Sequence, residues 1–181
     1  MIPLFEHSFY FMRHGRTDAN ARDIVCGQLD LPLDEEGRAQ ATRSAARLMD
    51  YPIAAIWCSP LKRARATAEA AAAVLNLEIR EVPDLMERDW GKLDGTDRAD
   101  LDRDATPPGG ESPEDFRTRT LRGLGQVEGP HPVLIVAHAG TSRVIQGELT
   151  GGDFDRPLNT EVRHWIKDED RWTCRTLIPG S

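Results

Sequence analysis

The sequence predicts an α/β fold, a three-layer α/β/α sandwich built on a mostly parallel sheet with an antiparallel edge. Two observations carry that prediction. Short, near-continuously apolar runs alternate with longer segments of helical period, which is the pattern of strands covered on both faces by crossover helices. The C-terminal tail alternates apolar with polar residues instead, as an edge hairpin does. The 181 residues read as a single domain, 1–181, a size that one hydrophobic core can reach.

The first apolar run, 8–12 (SFYFM), breaks at Arg13-His14-Gly15, and a loop with Gly27 and Pro32 follows. From Asp34, the residues Ala41, Ala45, Leu48 and Met49 recur at i, i+4, i+7 and i+8 and form one helical stripe, ended by Tyr51-Pro52. The run 53–58 (IAAIWC) is the second strand. Ser59-Pro60 then reads as an N-cap with proline at the first helical position, and Leu61, Ala64, Ala68, Ala71 and Leu75 continue that helix. A short strand is expected over 78–82. Beyond it, 94–130 is expected to be a helical excursion with room for two helices, interrupted by the loop Pro107-Pro108-Gly109-Gly110. Ser112-Pro113 repeats the N-cap and proline signature, with Glu114 and Asp115 where the helix dipole favours them, and that helix runs to about Val127. Val133–Ala137 (VLIVA) is the clearest buried strand and ends at His138-Ala139-Gly140. A helix over 141–149 and a hairpin of 161–167 with Arg171–Ile178 complete the chain.

Composition excludes several classes of function. No apolar run approaches the roughly 20 residues needed to cross a bilayer, and the start MIPLFEHSF has no basic segment leading into an apolar one. A net charge of −7 argues against binding nucleic acid or an anionic membrane. Three cysteines (Cys26, Cys58 and Cys174) without a CxxC pair resemble neither a disulfide framework nor a zinc knuckle. A cytoplasmic location is expected. Cys58 and Cys174 read most simply as small apolar residues of the core, and packing is expected for Trp90 and Trp165.

Ligands of such sheets bind beyond the carboxyl ends of the strands. Three candidate strands break there into Arg13-His14, into Ser59 with Arg63 one turn on, and into His138. Arginine offers phosphate a permanently charged fork of donors, helix N-termini add backbone N–H groups, and a neutral imidazole can act as a nucleophile. The residues alone therefore point to a phosphate site. His7, His131 and His164 carry no such pattern and read as surface or capped histidines. No HxH or HExxH pair occurs, and arginines beside the histidines would repel a cation, so neither metal nor cofactor is expected.

Longer motifs extend this reading. Arg13-His14-Gly15-Arg16-Thr17-Asp18-Ala19-Asn20, the spaced Gly27, Asp30, Pro32-Leu33 and Gly37, and Ser59-Pro60-Leu61-Lys62-Arg63-Ala64 with Thr67-Ala68 resemble blocks of the histidine phosphatase superfamily. So do Leu85-Met86-Glu87 with Gly91 and Asp94-Gly95, then Gly110-Glu111-Ser112, and finally His138-Ala139-Gly140. The likeness spans roughly residues 9 to 150 and implies a phosphoglycerate-mutase-like fold and a metal-independent phosphoric monoester hydrolase. It implies His14 as the nucleophile that forms a phosphohistidine. Arg13, Arg63 and His138 would surround the phosphoryl group, with Asn20 and the N–H groups after His138, Ala139 first, assisting. Glu87 would be the general acid and then the base, with Asp89, Asp94 and Glu111 as rivals; a solvated loop position is expected for Asp94, while for Glu111 that position and a functional role stand even. Arg16, Thr17, Cys26 and Gly27 are candidate substrate contacts; Arg16 either reaches a second anionic group or is a solvated arginine on the loop after the strand. Position 26 departs from the mutase pattern, which commonly has threonine there.

Hydrolysis of a small phosphorylated metabolite is the leading expectation, since the stretch from Gly95 to Pro132 leaves less cover than the longer mutases have. Phosphoglycerate mutase-type transfer, an α-ribazole phosphatase and a non-catalytic phosphate-binding protein are the alternatives. The sequence leaves the oligomeric state open, a homodimer included.

Overall fold

The computed structural model describes residues 2–181, the side chain of Asp100 excepted. Six strands, β1 (Phe9–Arg13), β2 (Ala55–Cys58), β3 (Ile79–Glu81), β4 (Val133–Ala137), β5 (Val162–Asp168) and β6 (Arg171–Ile178), form one sheet in the order β3-β2-β4-β1-β5-β6. The pairs β3/β2, β2/β4 and β4/β1 are parallel, whereas β1/β5 and β5/β6 are antiparallel. The sheet is thus the expected parallel core with an antiparallel edge. No helix among the described residues is long and apolar enough to cross a membrane.

The central strands are apolar up to the Arg13 that ends β1, because both their faces are covered. Along β4, Val133 and Ile135 enter one core while Leu134 and Val136 enter the other, and Phe9/Phe11 and Tyr10/Met12 divide in the same way along β1. One layer holds α2 (Glu35–Leu48) and α3 (Lys62–Leu75), which contribute Leu48, Ala68 and Ala71 to their core. The opposite layer holds α4 (Pro113–Leu124) and α5 (Ala139–Leu149), which contribute Leu124 and Ile145. Each fully buried Leu, Ile or Phe is worth roughly 1.5–3 kcal/mol relative to exposure.

The structure corrects several local expectations. A four-residue helix, α1 (Asp18–Ala21), interrupts the loop after β1 and is too short to show a period. Met49 is 66% exposed instead of closing the stripe of α2, because the helix ends at Leu48. Helix α3 starts after Leu61, so Ser59 is not its N-cap and Pro60 is not its first residue. Helix α4 begins as expected, with Ser112 Oγ accepting from Asp115 N and Pro113 in the first turn, but it stops at Leu124. It is the one α-helix of the stretch 94–130, where two were expected. The remainder of that stretch wraps around the buried Arg88, which donates to the carbonyls of Arg103, Ala105 and Glu111. Cys174 is exposed, while Cys26 and Cys58 are buried. Helix α5 starts two residues early, with His138 itself in the N-cap position.

Candidate active site

Register brings the polar ends of three strands to one edge. Arg13 pairs with Ala137, and Cys58 with Val136, so His14, Ser59 and His138 all follow directly from adjacent parallel strands. The backbone continues the ladder: His14 N donates to Ala137 O at 3.0 Å and Ser59 N to Val136 O at 3.1 Å. The turn after His14 is pinned to α3, where Gly15 N donates to Thr67 Oγ1 at 3.0 Å. It also lies on the start of α2 so closely that a Cβ on Gly37 would sit 1.9 Å from Arg16 O. Only glycine permits that backbone contact.

Arg13, His14 and Arg63 form the floor of a cavity of about 500 Å³, and His138 is buried behind them without lining it. All four are buried, with exposures of 5, 4, 1 and 0% respectively. Arg63 is braced by donation to the carbonyls of Leu29 and Gly27, both at 2.7 Å, and Arg13 by donation to Pro157 O at 2.9 Å. The Nε atoms of both arginines and Nδ1 of His138 are buried without a partner. Buried donors are costly to leave unpaired, so this cluster is built for an anion.

The two imidazoles, with centroids 5.1 Å apart, are kept neutral. Burial first, then Arg63 and Arg13, holds His14 well below its ordinary value of 6.5. Burial and Arg63 hold His138 well below it too. His14 Nδ1 lies 2.7 Å from Gly15 O. A carbonyl only accepts, so Nδ1 carries the proton and Nε2 keeps its lone pair. Ser59 Oγ is 2.8 Å from His138 Nε2. Burial, with Arg156 and Arg98 nearby, lowers Arg13 to about 9, which leaves it cationic at neutral pH.

Glu87 faces this floor from the loop after β3, lining the same cavity. Its Oε1 accepts from Arg88 N at 2.9 Å and its Oε2 from Gly140 N at 3.1 Å. Helix α5 can approach so near because a Cβ on Gly140 would fall 2.0 Å from Glu87 Oε1. Glu111, half-expected in solvent, is instead bound at both oxygens by Arg119, 2.6 Å to each, and Arg119 also donates to Glu87 O at 3.2 Å. Glu111 therefore buttresses the Glu87 loop and is no rival acid. Asp94 is half-buried against Gly27 and not solvated; burial, with Asp89 close by, pushes it up to about 6. Asp89 accepts from Gly91 N at 2.8 Å within its own turn.

Of the remaining sequence candidates, Asn20, Cys26, Gly27 and Ala139 line the cavity. Arg16 and Thr17 do not, and both assignments are corrected. Arg16 turns outward to Asp34, with Nε 2.8 Å from Oδ2. The buried Thr17 hydroxyl caps α1 by accepting from Asn20 N at 3.1 Å. Trp90 both packs and lines the cavity, under the Arg88 guanidinium at 4.1 Å, whereas Trp165 belongs to the core.

Sequence reasoning missed Asn159, whose Nδ2 donates to His14 O at 2.9 Å and so holds the turn after His14 from the far side. It also missed Ser59 as the partner of His138, and Arg103, Arg143, Phe154 and Arg156 in the outer wall. A lone Asn in a loop gives no signal. Ser59 had one, since it ends a strand beside the other two, but its proline neighbour disguised it as a cap.

A family model described as the histidine phosphatase superfamily (branch 1) matches residues 9–177. The chain is 36% identical over 174 residues to the uncharacterised phosphatase PhoE of Bacillus subtilis, covering 91% of this chain and 90% of that one. It is 32% identical over 182 residues to a 2,3-bisphosphoglycerate-dependent phosphoglycerate mutase of Gloeobacter violaceus, covering 86% and 81%. Among solved structures it is similar to a mycobacterial glucosyl-3-phosphoglycerate phosphatase in complex with VO3. That likeness has a TM-score of 0.82 at 27% identity and covers 96% of this chain and 100% of that one.

Proposed function

The chain belongs to the histidine phosphatase superfamily, and from that premise we propose that it is a metal-independent phosphomonoesterase of small metabolites, working through a phosphohistidine. One observation carries the reading. The Nδ1–H of His14 is committed to Gly15 O, so the free lone pair on Nε2 lies among buried donors that have nothing else to bind.

Nε2 attacks phosphorus in line, forming the N–P bond as the ester P–O bond breaks. Glu87, on the loop facing the floor, gives its proton to the departing oxygen. The equatorial oxygens lie among Arg13, Arg63 and His138. With Ser59 Oγ–H donating to His138 Nε2, the unpartnered Nδ1 carries the proton and donates it to the phosphoryl group. Glu87, now ionised, accepts a proton from water, whose oxygen attacks phosphorus. The N–P bond breaks, returning neutral His14 and inorganic phosphate. The arginines cost no reorganisation at the moment of reaction, because backbone carbonyls already hold them.

The test is a panel of phosphorylated metabolites with p-nitrophenyl phosphate as the generic ester. Release of inorganic phosphate and an acid-labile phosphoprotein are expected, both abolished in His14→Ala. Substantial turnover in that variant overturns the nucleophile. The panel includes 3-phosphoglycerate and α-ribazole phosphate, because isomerisation of the first without phosphate release would make the chain a mutase. Turnover that is lost to a chelator and restored by metal would overturn the metal-free chemistry.

A further inference from the structure

The turn that braces Arg63 is itself held from behind. Arg63 donates to the carbonyls of Gly27 and Leu29, both at 2.7 Å, so the path of residues 27–29 sets the angle of its guanidinium fork. The Gln28 side chain, between those two carbonyls in sequence, reaches the other way and donates from Nε2 to Glu87 O at 3.2 Å. One short turn therefore touches both a cation of the floor and the loop that carries Glu87.

Asp94 packs against this turn without lining the cavity. The chain around it is laid along residues 24 and 25. Gly95 N donates to Val25 O and Val25 N to Thr96 O, both at 2.9 Å, and Ile24 bridges Asp97. This pairing brings the Asp94 carboxyl so close to the Gly27 Cα that a Cβ there would overlap Oδ1. Oδ1 is buried and has no hydrogen-bond partner among the described residues. A buried oxygen left unpaired is costly, and Asp89 and Glu87 add like charge beside it. Burial first, then Asp89, pushes the carboxyl up to about 6, while the Gln28 N–H and Arg63 favour its charged form. Asp94 in turn favours the charged form of Arg63. A fold that keeps so awkward a carboxyl at this turn has a use for its charge.

We propose that Asp94 is a positioning residue for the catalytic machinery: its carboxylate clamps the Gly27–Leu29 turn, and thereby fixes the fork of Arg63 and, through Gln28, the loop of Glu87. The clamp holds while the carboxyl is ionised. A proton on it removes the attraction to Arg63 and to the Gln28 N–H, and the turn slackens. This rests on the phosphomonoesterase reading above and adds to it a pH dependence that no reacting group supplies.

The experiment compares the wild type with Asp94→Asn, which keeps the shape and removes the charge, between pH 5 and pH 8. Two quantities are read: kcat/KM for p-nitrophenyl phosphate and the calorimetric Kd of inorganic phosphate. Glu87 and the phosphate group titrate alike in both proteins, so their effects cancel in the ratio of wild type to variant. That ratio is expected to be about tenfold at pH 8, the worth of one hydrogen bond to a charged group. It falls below about twofold at pH 5, with a midpoint near the Asp94 value of about 6. A ratio that is constant across pH, as a merely structural aspartate gives, or near 1 throughout, overturns the clamp. So does unfolding of Asp94→Asn at pH 5, where the wild-type carboxyl is mostly neutral as well. Gln28→Ala leaves the carboxyl in place and cuts only the link to Glu87. It should slow phenyl phosphate about tenfold more than p-nitrophenyl phosphate and leave phosphate affinity unchanged. Equal losses on the two esters overturn the arm to Glu87. Failure of the wild type to hydrolyse either ester strikes the phosphomonoesterase reading instead, and the phosphate Kd then still reads the clamp.

Discussion

The floor and the mouth of the cavity hold the same residue type in opposite ways. Arg13 and Arg63 are at most 5% exposed, fixed by carbonyls and strand register, whereas Arg103, Arg143 and Arg156 are exposed, two of them on irregular chain. Register is set by the whole hydrophobic pattern of the sheet and shifts only as a unit. A turn can change without disturbing the core. The proposed phosphoryl chemistry is thereby tied to the most constrained part of the fold, while the cavity mouth belongs to the least.

If the floor is a rigid donor array, the largest effects belong there. Arg63→Lys keeps the charge but cannot span Gly27 O and Leu29 O while still offering a fork to phosphate, so kcat/KM should fall about 10³-fold. A loss under tenfold would show that charge alone suffices. Next is Gly140→Ala, whose Cβ collides with Glu87 Oε1. It should lower kcat about 10²-fold for esters of poor leaving groups and much less for p-nitrophenyl phosphate. Equal losses on both would separate Glu87 from proton transfer.

Burial of the floor also couples stability to pH. His14 and His138 are held well below 6.5 when folded and return to that value when unfolded, so below it the unfolded chain binds more protons. Their contribution is complete above pH 6.5 and is lost as pH falls. Asp94, raised to about 6, works the other way and offsets part of the loss. Denaturant unfolding at pH 7 and pH 5.5 should differ by about 2 kcal/mol, the higher pH being the more stable. No difference would mean that the imidazoles titrate normally. The smallest effect is expected two residues from His14: Arg16→Gln breaks only a partly exposed pair with Asp34, so kcat/KM should stay within about twofold on every ester. A selective loss on doubly anionic esters would move Arg16 into the site.

The same contrast explains what could be read from the sequence. Arg13, His14, Arg63 and His138 were legible because apolar runs broke into them, and such breaks mark strand ends in a sheet covered on both faces. Glu87 required a motif, since the loop that carries it has no period of its own. Arg16 misled by adjacency: one residue beyond the turn at Gly15, the chain has already turned outward to Asp34. Arg156 and Asn159 lie in a loop whose path is set by Arg163 and Glu161 of the hairpin region, a long-range arrangement that no local pattern announces. Met49 failed for a simpler reason, because a periodic stripe does not say at which residue its helix stops.

The position of β1 in the sheet has a further consequence, for the order of assembly. The strand that leads to His14 comes before the other five, yet its neighbours pair Tyr10 with Leu134 on one side and Phe9 with Trp165 on the other. Contacts so distant in the chain close late and slowly. During synthesis β1 emerges before β4 and β5 and has no partner in the sheet until they exist. The His14 imidazole therefore stays solvated until nearly the whole sheet has formed, and its burial arrives with the fold instead of preceding it.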